Sequence, residues 1–484
     1  MTFTPTPEQF AIIEAATSTT ENLCIEARAG AAKTSTLVLV AEALPKTKIL
    51  CLAFNKAIAT EMEARLPDNC ESKTLHGLGY GVWRKFIGKK LNVDGRKNFS
   101  LLKAAIERIE DREEKDDAYE LMGETLDIIA AGKRAGWVPQ SCKGHWKPLI
   151  NDEDFFAALP MEPSALQIAL VTEVAAASFK AALDGSIDFD EMISAPAICS
   201  VSWPSYPLVL VDEAQDLAPI NHHILKKLVR KNRIIAVGDP CQAIYGFRGA
   251  DTQSMENLKN QFSMQRLFLT ISFRCARSIT ENAQWRAPDM QAPEWAEAGN
   301  VLRHVTWSAD LLNNGDAVIC RNNAPLFSLA IRLIEQDQLP RIAGRDIGAP
   351  LVKLMHTLGK PHMLAPAAAD AINDWEIREV KRARPGAAGS IRDKAAVIRI
   401  MLARTKTLGD AIAYLEHLLN RDGRIDLMTG HKSKGLEFNR VFFLDQHHCN
   451  LKHEQDANIK YVIETRAKQE LHYIDSKGLI SNAE

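Results

Sequence analysis

The chain has 484 residues, 46% hydrophobic and 25% charged, with 59 Lys and Arg against 61 Asp and Glu. That length exceeds a single core and predicts about two to four domains. A net charge of −2 excludes a polycation, so any nucleic-acid contact must come from local clusters of Lys and Arg.

Taken in chain order, the start MTFTPTPEQF has no basic segment ahead of an apolar one, so no secretory signal is expected. No apolar run is read as reaching the ~20 residues of a membrane helix, and no membrane association is expected. The nine cysteines are dispersed without a C-x-x-C pair, which predicts reduced thiols in a cytosolic protein, with neither a disulfide framework nor a zinc site.

EARAGAAKTSTLVLV (Glu26 to Val40) follows the short apolar segment NLCIEA and runs into a helical pattern. Strand, small-residue loop, Lys-Thr and helix is the order a phosphate cradle needs, with backbone N–H groups and Lys33 facing the anion. Ala27 and Ala32 stand where glycines are usual, and Gly30 alone remains between them; alanine can serve there if its φ is negative. A plain strand-to-helix turn with an exposed lysine fits the same letters. Arg84 to Lys103 then carries seven basic residues against one acid.

PLVLVDEAQDLAP (Pro207 to Pro219) places Asp212 and Glu213 at the end of an apolar strand, where open parallel sheets hold their ligands. Asp212 would hold Mg²⁺ and Glu213 would polarise an attacking water; a helix first turn rich in acids is the alternative. RIIAVGDPCQAIYGFRGA (Arg233 to Ala250) supplies a third strand, then Gln242 as a γ-phosphate sensor. Tyr245, Phe247 and Arg248 combine aromatic faces and a cation, the chemistry of single-strand stacking. Arg378 to Lys406 carries nine basic residues against two acids. Either basic stretch fits a solvated helix face or a DNA contact. Trp137, Trp146 and Trp375 are read as core residues ahead of base contacts. HHCNLKHEQD (His447 to Asp456) is read as a surface loop rather than a metal site.

Together these segments resemble the Rep/UvrD/PcrA-like superfamily 1 helicases. TPEQFAII resembles the adenine-reading segment, with Gln9 gripping the base; ILCLAFNKAIATEMEARL resembles motif Ia, with Phe54, Asn55 and Lys56 along the DNA; TLHGLG resembles motif Ib, with His76 near the DNA backbone. IDFDEMI (Ile187 to Ile193) is similar to a segment preceding the Asp-Glu strand. LTISFRCARSI resembles motif IV and puts Arg274 near the γ-phosphate; AVICRNNAPLF and GRDIG resemble the second motor domain. LMTGHKSKGLEFNRVFFLD resembles motif V, with Glu437 near the ribose and His431 and Lys432 near DNA. YVIETRAKQELHYI resembles motif VI, with Arg466 as an arginine finger. The matches keep one order from Gln9 to Arg466.

The resemblance implies an α/β fold of two RecA-like parallel-sheet motor domains with mainly helical insertions. It puts the first motor domain at 1–83 and 185–275, a helical insertion at 84–184, the second motor domain at 276–348 and 425–484, and a small accessory insertion at 349–424. It further implies ATP bound by Gln9, Ala29, Gly30, Ala31, Ala32, Lys33, Thr34, Ser35 and Glu437, with Mg²⁺ on Thr34 and Asp212. Lys33, Asp212, Glu213, Gln242, Arg274 and Arg466 would carry catalysis. The implied activity is 3′ to 5′ translocation on single-stranded DNA with unwinding of tailed duplex, in replication, repair or recombination. A translocase that strips proteins, or a nucleotide-gated subunit of a larger complex, is the alternative. A protein partner from replication or repair and the oligomeric state are left open. Departures from the family are the alanine-rich loop, a shortened motif Ia, Gly246, Phe247 where tryptophan is common, and a short accessory region with no room for a C-terminal nuclease. The compact size suits a phage or mobile element.

Overall fold

The computed structural model describes residues 4–142, 144–246, 253–343, 345–383 and 388–480. By packing, the chain divides into two units: Met1–Ala27 with Ala32–Leu269, and Arg28–Ala31 with Thr270–Glu484.

In the first unit the strands are β1 (Leu23–Ala27), β2 (Ile49–Ala53), β3 (Cys70–Thr74), β4 (Asn92–Val93), β5 (Ser186–Ile187), β6 (Leu208–Val211), β7 (Arg233–Gly238) and β8 (Gln265–Leu269). Six of them form one parallel sheet in the order β3-β2-β6-β7-β1-β8. The strands LCIEA, ILCLA and LVLV are buried at every position, the continuous apolar pattern of strands covered on both faces. Register aligns Leu52 with Val211, Val211 with Ala236, and Glu26 with Gly238. The chain therefore leaves β1, β2, β6 and β7 at one edge, and Phe54, Asp212 and Asp239 all emerge there.

Helices between β3 and β6 build a second layer with its own core, in which Leu102, Ile106, Ile129, Trp137, Phe155, Val171 and Val174 cluster. Its longest helix, Ala165–Leu183, corrects one expectation: with 19 residues it is long and apolar enough to cross a membrane. It also carries Glu173 and Lys180, and Val171, Val174, Ala175 and Phe179 are buried in the protein, as in an ordinary core helix.

A second correction concerns the basic stretch Arg84 to Lys103. Lys97 does not face solvent. It is 4% exposed and joins Lys133, Asp188 and Glu191 in a buried ionic cluster. Trp137 and Trp146 are core residues, 2% and 4% exposed.

The second unit holds β9 (Asn300–Arg303), β10 (Ala317–Cys320), β11 (Pro340–Ile342), β12 (Ile425–Thr429), β13 (Phe438–Leu444) and β14 (Ala467–Ile474). They form a parallel sheet in the order β11-β12-β10-β13-β14-β9. The fold is α/β with two parallel-sheet regions, matching two RecA-like domains. Helices from the 345–420 stretch share one hydrophobic cluster with this sheet, Leu351, Met355, Ile372, Met401 and Leu415 packing with Val318, Leu427 and Phe442. Trp375 is half-buried against that cluster. Much of the second basic stretch is spent in ion pairs: Arg378 and Arg382 with Glu379, Arg399 with Glu376, and Arg404 with Glu335.

Candidate functional site

The helix Lys33–Glu42 begins directly after the alanine-rich loop. Its first two residues meet the acidic pair at the end of β6. Thr34 donates its hydroxyl to Asp212 Oδ2 at 2.6 Å, and Lys33 Nζ lies 3.2 Å from Glu213 Oε1. Asp212 is 3% exposed, and the Lys33 side chain is 12% exposed. Burial alone would lower the lysine pKa, but Glu213, Asp239 and Asp212 offset it and hold the pKa above its usual value. Burial, then repulsion from Glu213, raises Asp212 to about 6 against the opposing effects of Thr34 and Lys33. Three carboxylates around one lysine leave an excess of negative charge, which suits a divalent cation. Thr34 and Asp212 offer a hydroxyl and a carboxylate side by side, the hard oxygen donors that fit Mg²⁺ retaining several waters.

Ala32 overturns the expectation of a negative φ. It caps the helix Lys33–Glu42 with φ 54° and ψ 40°, a left-handed conformation costing an L-residue roughly 1–2 kcal/mol. Glu213 is also left-handed, with φ 51°. Two non-glycine residues in this region, flanking the same lysine, mark the kind of strain that collects at functional sites. Among the other predicted loop residues, Ala29, Gly30 and Ala31 pack in the second unit. Ser35 accepts a hydrogen bond from Arg65 Nη2 at 2.8 Å. Gln9 is fully buried: its Oε1 accepts from the Thr6 N–H and its Nε2 donates to Thr36 Oγ1 at 3.0 Å. Base reading by Gln9 would exchange those bonds.

Sequence reading missed a hydrogen-bonded relay behind the acids. Gln215, 1% exposed, donates to Glu213 and accepts the Asp239 N–H at 2.9 Å. Asp239 in turn accepts from Gln242 Nε2 at 2.6 Å. The relay ties Glu213 to Gln242. A Cβ at Gly238 would come within 2.5 Å of Gln215 Oε1, so glycine is required there for close approach. The D-E-A-Q-D string and the glycine turn were the available signals.

At the same sheet edge, Phe54 and Tyr245 stack with ring centroids 5.8 Å apart and planes 7° from parallel. Phe54 is 42% exposed. Asn55 and Lys56 are exposed as well, and Asn55 caps the helix Lys56–Glu63 by accepting the Ile58 N–H. His76 stacks on Phe189 at 4.3 Å, and burial lowers its pKa to about 4, so the ring is neutral near pH 7. Phe189, 60% exposed in the IDFDEMI segment, is an aromatic the sequence reading passed over. Phe247 and Arg248 lie outside the described residues, as does Gly344 of the GRDIG segment.

In the second unit, Arg274 pairs with Glu437 at 2.9 Å and donates to the Thr465 carbonyl. Burial opposes the Glu437 charge, but Lys468 and Arg274 hold its pKa below the usual range. Arg466 is 1% exposed and donates to the carbonyls of Val462 and Leu436 and to Thr465 Oγ1, so its guanidinium is engaged inside the unit. His431 and Lys432 lie half-buried on the short helix Gly430–Ser433 after β12.

The sequence model of the UvrD/REP helicase N-terminal domain matches residues 6–263, and that of the UvrD-like helicase C-terminal domain matches residues 425–474. The chain is 26% identical to F-box DNA helicase protein 1 of Schizosaccharomyces pombe, over 96% of this chain and 57% of that protein. It is also 26% identical to F-box DNA helicase 1 of Gallus gallus, over 92% of this chain and 46% of that one. A stretch of 79 residues, 15% of this chain, is 40% identical to 6% of the RecBCD enzyme subunit RecB of Buchnera aphidicola. The chain spans about half the length of the two F-box relatives.

Proposed function

The chain belongs to the UvrD/REP helicase family, and from that premise we propose that it is an ATP-dependent DNA helicase. It translocates 3′ to 5′ on single-stranded DNA and unwinds tailed duplex during replication, repair or recombination. The observation carrying this reading is the meeting of Lys33 and Thr34 with Asp212 and Glu213 at the sheet edge that also presents the Phe54–Tyr245 stack. Polarity rests on the family resemblance.

In this reading Lys33 meets the phosphates and Thr34 and Asp212 hold Mg²⁺, which would neutralise charge on the phosphate oxygens. Glu213 takes the proton of the attacking water, and the relay through Gln215 and Asp239 keeps that acid and Gln242 in fixed relation. Arg274 and Arg466 are assigned to charge developing on the transferring phosphoryl group. Arg466 must first give up its carbonyl partners. Glu437 is assigned to the ribose. Phe54, Tyr245, Phe247 and Arg248 serve base stacking, while Asn55, Lys56, His76, His431 and Lys432 line the strand.

Strand displacement with 3′- and 5′-tailed duplexes tests the proposal. Unwinding of the 3′-tailed substrate, dependent on ATP and Mg²⁺ and lost in Lys33→Ala, is expected. Preference for the 5′ tail contradicts the polarity. ATP turnover without displacement favours a protein-stripping translocase.

A further inference from the structure

The strands β13 and β14 of the second unit are register partners, with Leu444 opposite Ile474. Each is followed at once by an aspartate, Asp445 and Asp475, so two carboxylates leave the same end of one parallel sheet, where such sheets hold their ligands. His447 stands beside them in the short turn Gln446–His448. One side-chain ligand atom from each of Asp445, His447 and Asp475 lies within 4.8 Å of the other two. The segment HHCNLKHEQD contains only one of the three, and the aspartates join it through strand register, so spacing along the chain did not announce the group.

The charges of this group are not balanced from within the protein. Asp445 is 2% exposed, and one of its carboxylate oxygens accepts the Ser476 N–H at 2.8 Å. Its other oxygen has no hydrogen-bond partner among the described residues. The Asp475 carboxylate meets His447, whose Nδ1 lies 3.7 Å from Oδ1. Among the described residues no lysine or arginine forms an ion pair with either aspartate. A buried carboxylate with an unused oxygen, and a second carboxylate beside it, favour a cation. A proton on His447 would offset one of the two charges, which is the metal-free account of the same contacts.

The donor set decides the kind of cation. An imidazole nitrogen with two carboxylates suits zinc, manganese and related transition ions, whereas magnesium and calcium prefer oxygen alone. Ligand atoms at about 2.0–2.2 Å from one zinc ion sit up to about 4 Å apart. The side chains of His447 and Asp475 are 66% and 58% exposed and can rotate to close the distance, while buried Asp445 is the fixed member. We infer that Asp445, His447 and Asp475 bind a divalent transition cation of the zinc type, which clips the ends of β13 and β14 together. Three protein ligands leave a coordination position to water. The site shares no ligand with the Mg²⁺ position assigned to Thr34 and Asp212 and does not depend on that assignment.

The test uses the full chain, stripped with a chelator and desalted, in buffer with excess Mg²⁺. Calorimetric titration with Zn²⁺ and with Mn²⁺ gives stoichiometry and Kd, Co²⁺ absorption reports the ligand geometry, and Tm reports the clip. Variants are Asp445→Asn, Asp475→Asn and His447→Ala, with His448→Ala as the neighbour outside the group. The unmodified chain should bind one Zn²⁺ with a micromolar Kd and gain Tm on binding. His447→Ala and Asp475→Asn, both at exposed positions, should keep the metal-free Tm and weaken binding about tenfold or more, while His448→Ala binds normally. A titration with no binding step overturns the inference. Zn²⁺ binding that survives all three ligand variants places the ion elsewhere, on the cysteines for instance, and overturns it too. Binding lost in Asp445→Asn alone, with the metal-free Tm already lowered, marks that carboxylate as merely structural and likewise overturns it.

Discussion

Ala32 pays a conformational cost that glycine would avoid. Its φ of 54° is worth roughly 1–2 kcal/mol of strain, partly offset by the greater unfolded-state freedom of glycine. Ala32→Gly should therefore stabilise the protein by about 0.5–1 kcal/mol in chemical denaturation, and a loss of stability would show that the alanine methyl makes a compensating contact. His76 gives a pH signature. Its folded pKa of about 4 lies below the ordinary 6.5, so the fold disfavours the charged ring. The resulting stability is fully present above about pH 6.5 and is lost as pH falls through about 4. His76→Phe, which keeps a ring against Phe189, should flatten that acid-side fall in denaturation curves taken from about pH 8 to about pH 4. An unchanged slope would assign the fall to other groups. Neither residue's environment was legible in the letters alone: TLHGLG does not show that Phe189 covers the histidine, and AGAAKT does not show which alanine turns left-handed.

Elements were more legible than their wiring. Apolar runs announced β1, β6 and β7, because strands buried on both faces admit little else. The buried cluster of Lys97, Lys133, Asp188 and Glu191 was hidden, since it joins residues up to 94 positions apart, and Lys97 read naturally as part of a basic surface. Lys133→Met would leave Asp188 and Glu191 short of a partner and should cost about 3–5 kcal/mol in chemical unfolding. Pairing it with Asp188→Leu should cost less than the single change. Equal or larger loss in the pair would mean that packing, rather than charge balance, dominates the cluster. The Phe54–Tyr245 stack was half legible, both residues being predicted for the strand and their contact not. Phe54→Ala should weaken single-stranded DNA binding by about 1–3 kcal/mol in fluorescence titration, with Phe54→Trp retaining affinity. Equal affinity in all three proteins would remove Phe54 from the strand.

At the scale of the molecule, two parallel sheets could be expected because motif resemblances keep one order along the chain, and order constrains topology more tightly than any single motif does. Asp212, Glu213 and Lys33 come together since parallel register brings β1, β6 and β7 to a common edge. What the letters could not convey is the state of the groups: Asp212 raised to about 6 by burial and Glu213, Gln9 bonded to Thr6 and Thr36, and Arg466 engaged on carbonyls. These depend on neighbours far away in sequence. The proposed role of the alanine-rich loop, with its left-handed Ala32, is to serve as the phosphate cradle of a DNA-driven motor. Steady-state ATP hydrolysis with and without single-stranded DNA, for the unmodified chain and Lys33→Ala, tests it most directly. Stimulation by DNA of about tenfold or more, abolished in Lys33→Ala, is the predicted result. Turnover that ignores DNA or survives Lys33→Ala would contradict the account, and ATP binding without turnover would make the protein a nucleotide-gated binding subunit.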